Sequence, residues 1–126
     1  MTATYEGQHL IADLHDAARL ADVDHVERCL IEAAGAAGAT LLEVRLHSFG
    51  PGQGVTGVAM LAESHISIHT WPEFASACID IFMCGRSHDL DAALASIVAN
   101  LGGRVARRTL LTRSFGDAQL AVQERS

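Results

Sequence analysis

The stretch from Val55 to Cys84 constrains the fold most. Three extended segments follow one another there: VTGVAMLA from Val55 to Ala62, HISIHT from His65 to Thr70, and ACIDIFMC from Ala77 to Cys84. The middle one alternates strictly, with Ile66 and Ile68 facing one way and His65, Ser67 and His69 the other. In the third, Ile79, Ile81 and Met83 share one face and Cys78, Asp80, Phe82 and Cys84 the opposite one. The gaps between segments are too short for the crossover that parallel neighbours need, so the sheet is expected to be mainly antiparallel.

The rest of the chain supplies two helices and further strands. His9–His15 and Leu41–Phe49 read as extended, and residues 50–54 (GPGQG) as a turn. Asp24–Ala37 reads as a helix with Val26, Leu30, Ala33 and Ala37 on one stripe. Asp24 and Glu27 resemble a capping box, and Gly38 a stop. Ser87–Leu101 reads as a second helix ending at Gly102 and Gly103, and Arg104–Thr112 as a last strand. The order is summarised as β-α-β-β-β-α-β. Two helices cover one face of such a sheet, so the expected class is α+β, a two-layer α/β sandwich. The other face must be polar and functional or be covered by a second copy. One domain is expected over residues 1–115, with 116–126 as a mobile tail.

Composition narrows the function. Of 126 residues, 49% are apolar and 19% charged, which suits one globular domain. The net charge of −6 argues against a nucleic-acid surface. No apolar run has the roughly 20 residues of a membrane span, and no secretion signal is visible, so the expected address is the cytoplasm. All 9 basic residues are arginine. Without lysine the chain cannot hold pyridoxal phosphate as an imine or build a Walker-type phosphate loop. Any carbonyl chemistry needs a carbonyl from another source. The 3 cysteines, with no C-x-x-C pair, point to free thiols rather than a disulfide framework or a zinc knuckle.

The residues with chemical potential cluster between Gly54 and Gly85. Ser64 lies at a strand junction between Glu63 and His65, and read by itself it is a turn serine. It lacks the G-x-S-x-G elbow. His65 and His69 share a strand face but stand about 13 Å apart at roughly 3.3 Å per residue, too far for one ion, so no metal is expected. They read as half-buried histidines bonded to backbone. Cys84 is either a small buried hydrophobe or a proton donor. Cys29 and Cys78 read as core positions. Trp71, the sole tryptophan, sits before Pro72 where an aromatic rims a site more often than it fills a core.

The run GVTGVAMLAESHISIHTWPEFASACIDIFMCG, residues 54 to 85, resembles the prokaryotic S-adenosylmethionine decarboxylase proenzymes. A weaker match extends from about Gly7 to Phe115. The resemblance implies cleavage between Glu63 and Ser64, giving a β chain of residues 1–63 and an α chain of residues 64–126. Ser64 would become a pyruvoyl group, the self-made carbonyl that forms a Schiff base with substrate, which fits the missing lysine. By position His69 matches the proton acceptor of processing, Cys84 the proton donor of decarboxylation, and Thr56 a hydroxyl that supports processing. Phe49, Trp71 and Glu73 match substrate-binding positions, the aromatics for adenine and sulfonium and the carboxylate for the ribose hydroxyls. A cation–π contribution of ~0.5–2 kcal/mol suits such a sulfonium. The resemblance further implies a homodimer of αβ pairs, with the site between two subunits, and a product that serves spermidine synthesis. The same scaffold admits two other readings. One is a pyruvoyl-dependent decarboxylase of ornithine or arginine, which needs an extra carboxylate such as Asp13 or Asp80. The other is a binding paralogue that no longer processes.

Overall fold

The computed structural model describes residues 4–84 and 86–117. Their order is β1 (Thr4–His15), α1 (Val23–Ala36), β2 (Leu41–Ser48), β3 (Val55–Leu61), β4 (Ser64–Trp71), a 3-10 turn (Pro72–Phe74), β5 (Ser76–Met83), α2 (Leu90–Leu101) and β6 (Arg104–Asp117). Four strands lie between the helices, one for each of the extended segments Leu41–Phe49, Val55–Ala62, His65–Thr70 and Ala77–Cys84, so the string β-α-β-β-β-α-β counts one strand too few. The six strands form one sheet in the order β2-β3-β4-β5-β1-β6, and every neighbouring pair is antiparallel. The last strand passes Thr112 to Asp117, so residues 116 and 117 of the expected 116–126 tail are strand, and residues 118–126 lie outside the described residues.

Both helices pack on one face, as the alternation requires. Leu10, Leu14, Ile66, Ile68, Ile79 and Ile81 are buried against Val26 and Leu30 of α1 and Leu94 and Ile97 of α2 in one continuous core. Each helix begins at an aspartate, and neither start is the one expected. Asp22, not Asp24, caps α1 by accepting from the His25 N–H at 3.1 Å. Asp89 caps α2 by accepting from the Ala92 N–H at 2.9 Å, which leaves Ser87 and His88 outside the helix. In each case the cap is the aspartate with extended backbone, the geometry in which its side chain reaches the free N–H groups of the first turn. The helices are also tied to each other by His25, whose Nε2 lies 2.7 Å from the Asn100 carbonyl oxygen.

Among the described residues no helix packs on the opposite face of the sheet. It presents the second parity of each strand, including His65, Ser67 and His69 on β4 and Cys78, Asp80 and Phe82 on β5. Cys78 is therefore exposed, contrary to its reading as a core position, while Cys29 is buried in α1. Burial pushes the Cys29 thiol up to about 12. Among the described residues no helix is long and apolar enough to cross a membrane.

Candidate active site

Ser64 opens β4 directly after the tight turn, where Leu61 pairs with Ser64. Such turns favour Asn-Gly because left-handed backbone is costly for other residues. Here Glu63 adopts it, at φ 62°. A residue held there costs ~1–3 kcal/mol, and this one immediately precedes Ser64.

The antiparallel register brings Cys84 to the same end of the sheet. His65 pairs with Phe82, so Ser64 and Cys84 lie at the ends of neighbouring strands. The Arg86 N–H and the Ser87 hydroxyl donate to the Cys84 sulfur and hold its thiol below the ordinary cysteine value. These donors stabilise the thiolate, so a proton leaves this sulfur more readily than it leaves an ordinary thiol.

The other expected residues gather at the opposite end of β4. Thr56 pairs with His69 across β3 and β4, and the Thr56 Oγ1 lies 3.1 Å from His69 Nδ1. In the tautomer whose Nδ1–H donates to that hydroxyl, Nε2 carries a lone pair that can accept a proton. Two residues on, the Trp71 ring lies 6.2 Å from the His69 ring at 37°. Phe49 follows β2, its ring 4.7 Å edge-on from His47, and is 62% exposed. Glu73 is exposed in the 3-10 turn that follows Trp71. Gly54 shapes the loop between Phe49 and Trp71, since a Cβ there would collide with the Thr70 carbonyl oxygen. Cys78 pairs with His69 from β5, and partial desolvation of this largely exposed thiol, together with the neighbouring Asp13 carboxylate, raises it.

One chain does not unite these clusters. Ser64 and His69 are five residues apart on β4, about 16 Å at roughly 3.3 Å per residue, with opposite parity. Glu63 and Ser64 lie at one end of β4, with Cys84 at the adjoining end of β5. Thr56, His69, Phe49, Trp71 and Glu73 gather at the other end.

A third cluster escaped the sequence reading. His9 on β1, His65 on β4 and Asp80 on β5 converge on the open face. Asp80 Oδ1 is hydrogen-bonded by His9 Nε2, and Oδ2 lies 3.1 Å from His65 Nε2. Burial works against the Asp80 charge, but the two imidazoles outweigh it and hold the carboxyl below its ordinary value. His65 is thus bonded to a side chain rather than to backbone, and so is His69. Among the described residues this cluster alone brings three or more ligating atoms within 4.8 Å of one another. His9 and Asp80 are 71 residues apart in the chain. The β-like parity of each was visible; the strand order that joins them was not.

Comparison with known proteins identifies the family. The sequence model described as S-adenosylmethionine decarboxylase matches residues 8–114. An S-adenosylmethionine decarboxylase proenzyme of Methanococcus aeolicus is 51% identical over 94 residues, covering 72% of this chain and 79% of that one. One of Parasynechococcus marenigrum is 56% identical over 81 residues, covering 63% and 62% respectively. One of Pseudomonas aeruginosa is 36% identical over 125 residues, covering 98% and 78%. The crystal structure of the adenosylmethionine decarboxylase from Aquifex aeolicus superimposes with a TM-score of 0.71 at 33% identity, covering 90% of this chain and 93% of that one. With the family match spanning nearly all of the sheet and both helices, the chain belongs to the S-adenosylmethionine decarboxylase family.

Proposed function

We propose that the chain cuts itself between Glu63 and Ser64 and then decarboxylates S-adenosylmethionine, yielding an aminopropyl donor for polyamine synthesis. The observation that carries this is the left-handed Glu63 on a tight turn beside Ser64, with Cys84 at the adjoining strand end. The Ser64 hydroxyl adds to the Glu63 carbonyl carbon, and the bond from that carbon to the Ser64 nitrogen breaks. This leaves an ester and a free amine. Opening the chain there releases the backbone strain at Glu63.

A base then removes the Ser64 α-proton, and the Glu63 carboxylate departs from the β-carbon. Addition of water and loss of ammonia leave a ketone at the new chain end. His69 is the base, with Thr56 fixing its ring. Because it is about 16 Å from Ser64 on its own chain, it acts on Ser64 of a second copy. Two chains laid open face to open face in opposite directions bring one copy's Ser64 end over the other's His69 end. That homodimer also covers the face that the helices leave bare.

The residues present suit the pyruvoyl group: a serine at a strained junction, a hydroxyl-supported imidazole and an acidified thiol. When formed, the group supplies the electron sink for loss of carbon dioxide. Cys84 delivers a proton to the carbon that lost the carboxylate. Phe49 and Trp71 offer exposed ring faces to the adenine and the sulfonium, and Glu73 accepts from the ribose hydroxyls. A basic amino acid would need a free carboxylate for its far cation; Asp80 is already engaged by His9 and His65.

The test is intact mass under denaturing conditions, followed by carbon dioxide release from carboxyl-labelled S-adenosylmethionine. Two fragments split after Glu63, the second lighter than a serine-started peptide by the elements of ammonia, together with substrate-dependent release, are expected. A single uncut 13.4 kDa chain that releases no carbon dioxide refutes the proposal.

A further inference from the structure

Cutting after Glu63 turns Ser64 from the middle of a hairpin into the first residue of a chain. Chain ends fray unless something ties them down. We infer that Asp80, supported by His9, is a positioning residue that clamps this new chain end through His65; the inference deepens the decarboxylase reading and rests on it.

His65 is bonded directly to the Ser64 carbonyl, so fixing His65 fixes the reacting group. Its Nε2 lies 3.1 Å from Asp80 Oδ2, which also accepts from the Ser67 hydroxyl at 3.3 Å. The other carboxylate oxygen is taken by His9. The His65 ring lies on Phe82, with centroids 5.9 Å apart at 30°, and His9 meets the same ring edge-on at 5.7 Å. Phe82 is seated in turn over Gly7, where a Cβ would collide with its ring. A platform and a hydrogen bond therefore fix both the tilt and the direction of the imidazole next to Ser64.

Arg113 settles the role of His9. Its guanidinium nitrogen lies 3.3 Å from His9 Nδ1. A guanidinium only donates, so Nδ1 accepts and Nε2 carries the hydrogen toward Asp80. This tautomer suits a hydrogen-bonded clamp and opposes coordination of a metal through Nε2.

The test uses the full chain with Asp80→Asn, and with His65→Phe, which keeps the stack and removes the hydrogen bond. Each is followed by intact mass, kcat and KM, and amide exchange over residues 65–68. Both variants are expected to be cut. Their kcat falls about tenfold, within the ~hundredfold that a 1 Å misplacement costs, while KM changes less than about threefold. Exchange at 65–68 speeds up about tenfold, whereas α1 keeps the wild-type rate. His9→Gln, which keeps a donor, retains most of kcat, and His9→Ala does not; this pair decides the question where Asp80→Asn does not fold. A kcat within about twofold of wild type overturns the clamp. So does faster exchange across the whole core, or one equivalent of bound metal whose removal reproduces the loss. A wild-type chain that is neither cut nor active instead overturns the decarboxylase reading itself.

Discussion

Thr70 offers a stringent test of how the His69 end of β4 is held. It lies on the core side of β4 and is 5% exposed. Its hydroxyl donates to the Leu20 carbonyl oxygen at 2.7 Å and accepts from the Val55 N–H at 2.8 Å. One oxygen thus ties the loop before α1 and the start of β3 to the strand that carries His69 and Trp71. Thr70→Val keeps the shape and deletes both bonds, leaving a buried N–H and a buried carbonyl without partners. Each orphaned group costs ~1–3 kcal/mol, and the methyl that replaces the hydroxyl returns about 0.8 kcal/mol. The net loss is about 3 kcal/mol, equivalent to a Tm drop of more than ~10 °C in a domain of this size. Thr70→Ser keeps the hydroxyl and loses one methyl, at about 1 kcal/mol. Urea unfolding decides between them, with both variants placed in an uncleavable Ser64→Ala background so that a single chain unfolds. A Thr70→Val midpoint at or above that of Thr70→Ser refutes the reasoning, because the hydroxyl would then be worth less than a methyl.

Three further outcomes follow from the thiols and from Asp80. Iodoacetamide labelling read by peptide mass should modify Cys84 at the lowest pH, Cys78 only at higher pH and Cys29 last, because donors lower the first thiol, partial desolvation and Asp13 raise the second, and burial pushes the third to about 12; Cys78 labelling ahead of Cys84 contradicts this. Asp80 is depressed in the folded state, so its contribution to stability is present above the unfolded carboxyl value near ~3.9 and is lost as pH falls through the lower folded value. Asp80→Asn should therefore flatten the acid limb of a stability–pH curve, and an unchanged limb rules out that contribution. Cys84→Ala should still be cut but should lose about 10²–10⁴-fold in turnover, the usual weight of a positioned proton donor; full activity removes Cys84 from that role.

Much of the architecture was legible because burial here follows simple periodicity. The alternation in HISIHT separates Ile66 and Ile68 from His65, Ser67 and His69, and the structure keeps that separation. The helix starts were less legible. Asp22 and Asp24 are both acceptable caps, and only backbone geometry selects the first. A face without helices was expected, and Cys78 shares its parity with Asp80 and Phe82; reading it as core went against that alternation, because a free cysteine is so often buried. The clamp was hidden for a different reason. His9, His65 and Asp80 sit on three strands that become neighbours only when β1 inserts between β5 and β6. Thr70 had no signal, because a threonine among β-branched residues looks like any strand position until its partners are placed.

The claim that the Ser64 end of one chain and the His69 end of another make one reactive centre has a direct measurement. Ser64→Ala and His69→Ala chains are co-expressed and weighed intact under denaturing conditions. Neither is expected to be cut alone. In a mixed dimer, the His69→Ala chain supplies Ser64 and the Ser64→Ala chain supplies His69, so fragments split after Glu63 should arise from the His69→Ala chain only when both are present. A His69→Ala chain that is cut alone, or that stays whole in the mixture while wild type is cut, contradicts the account.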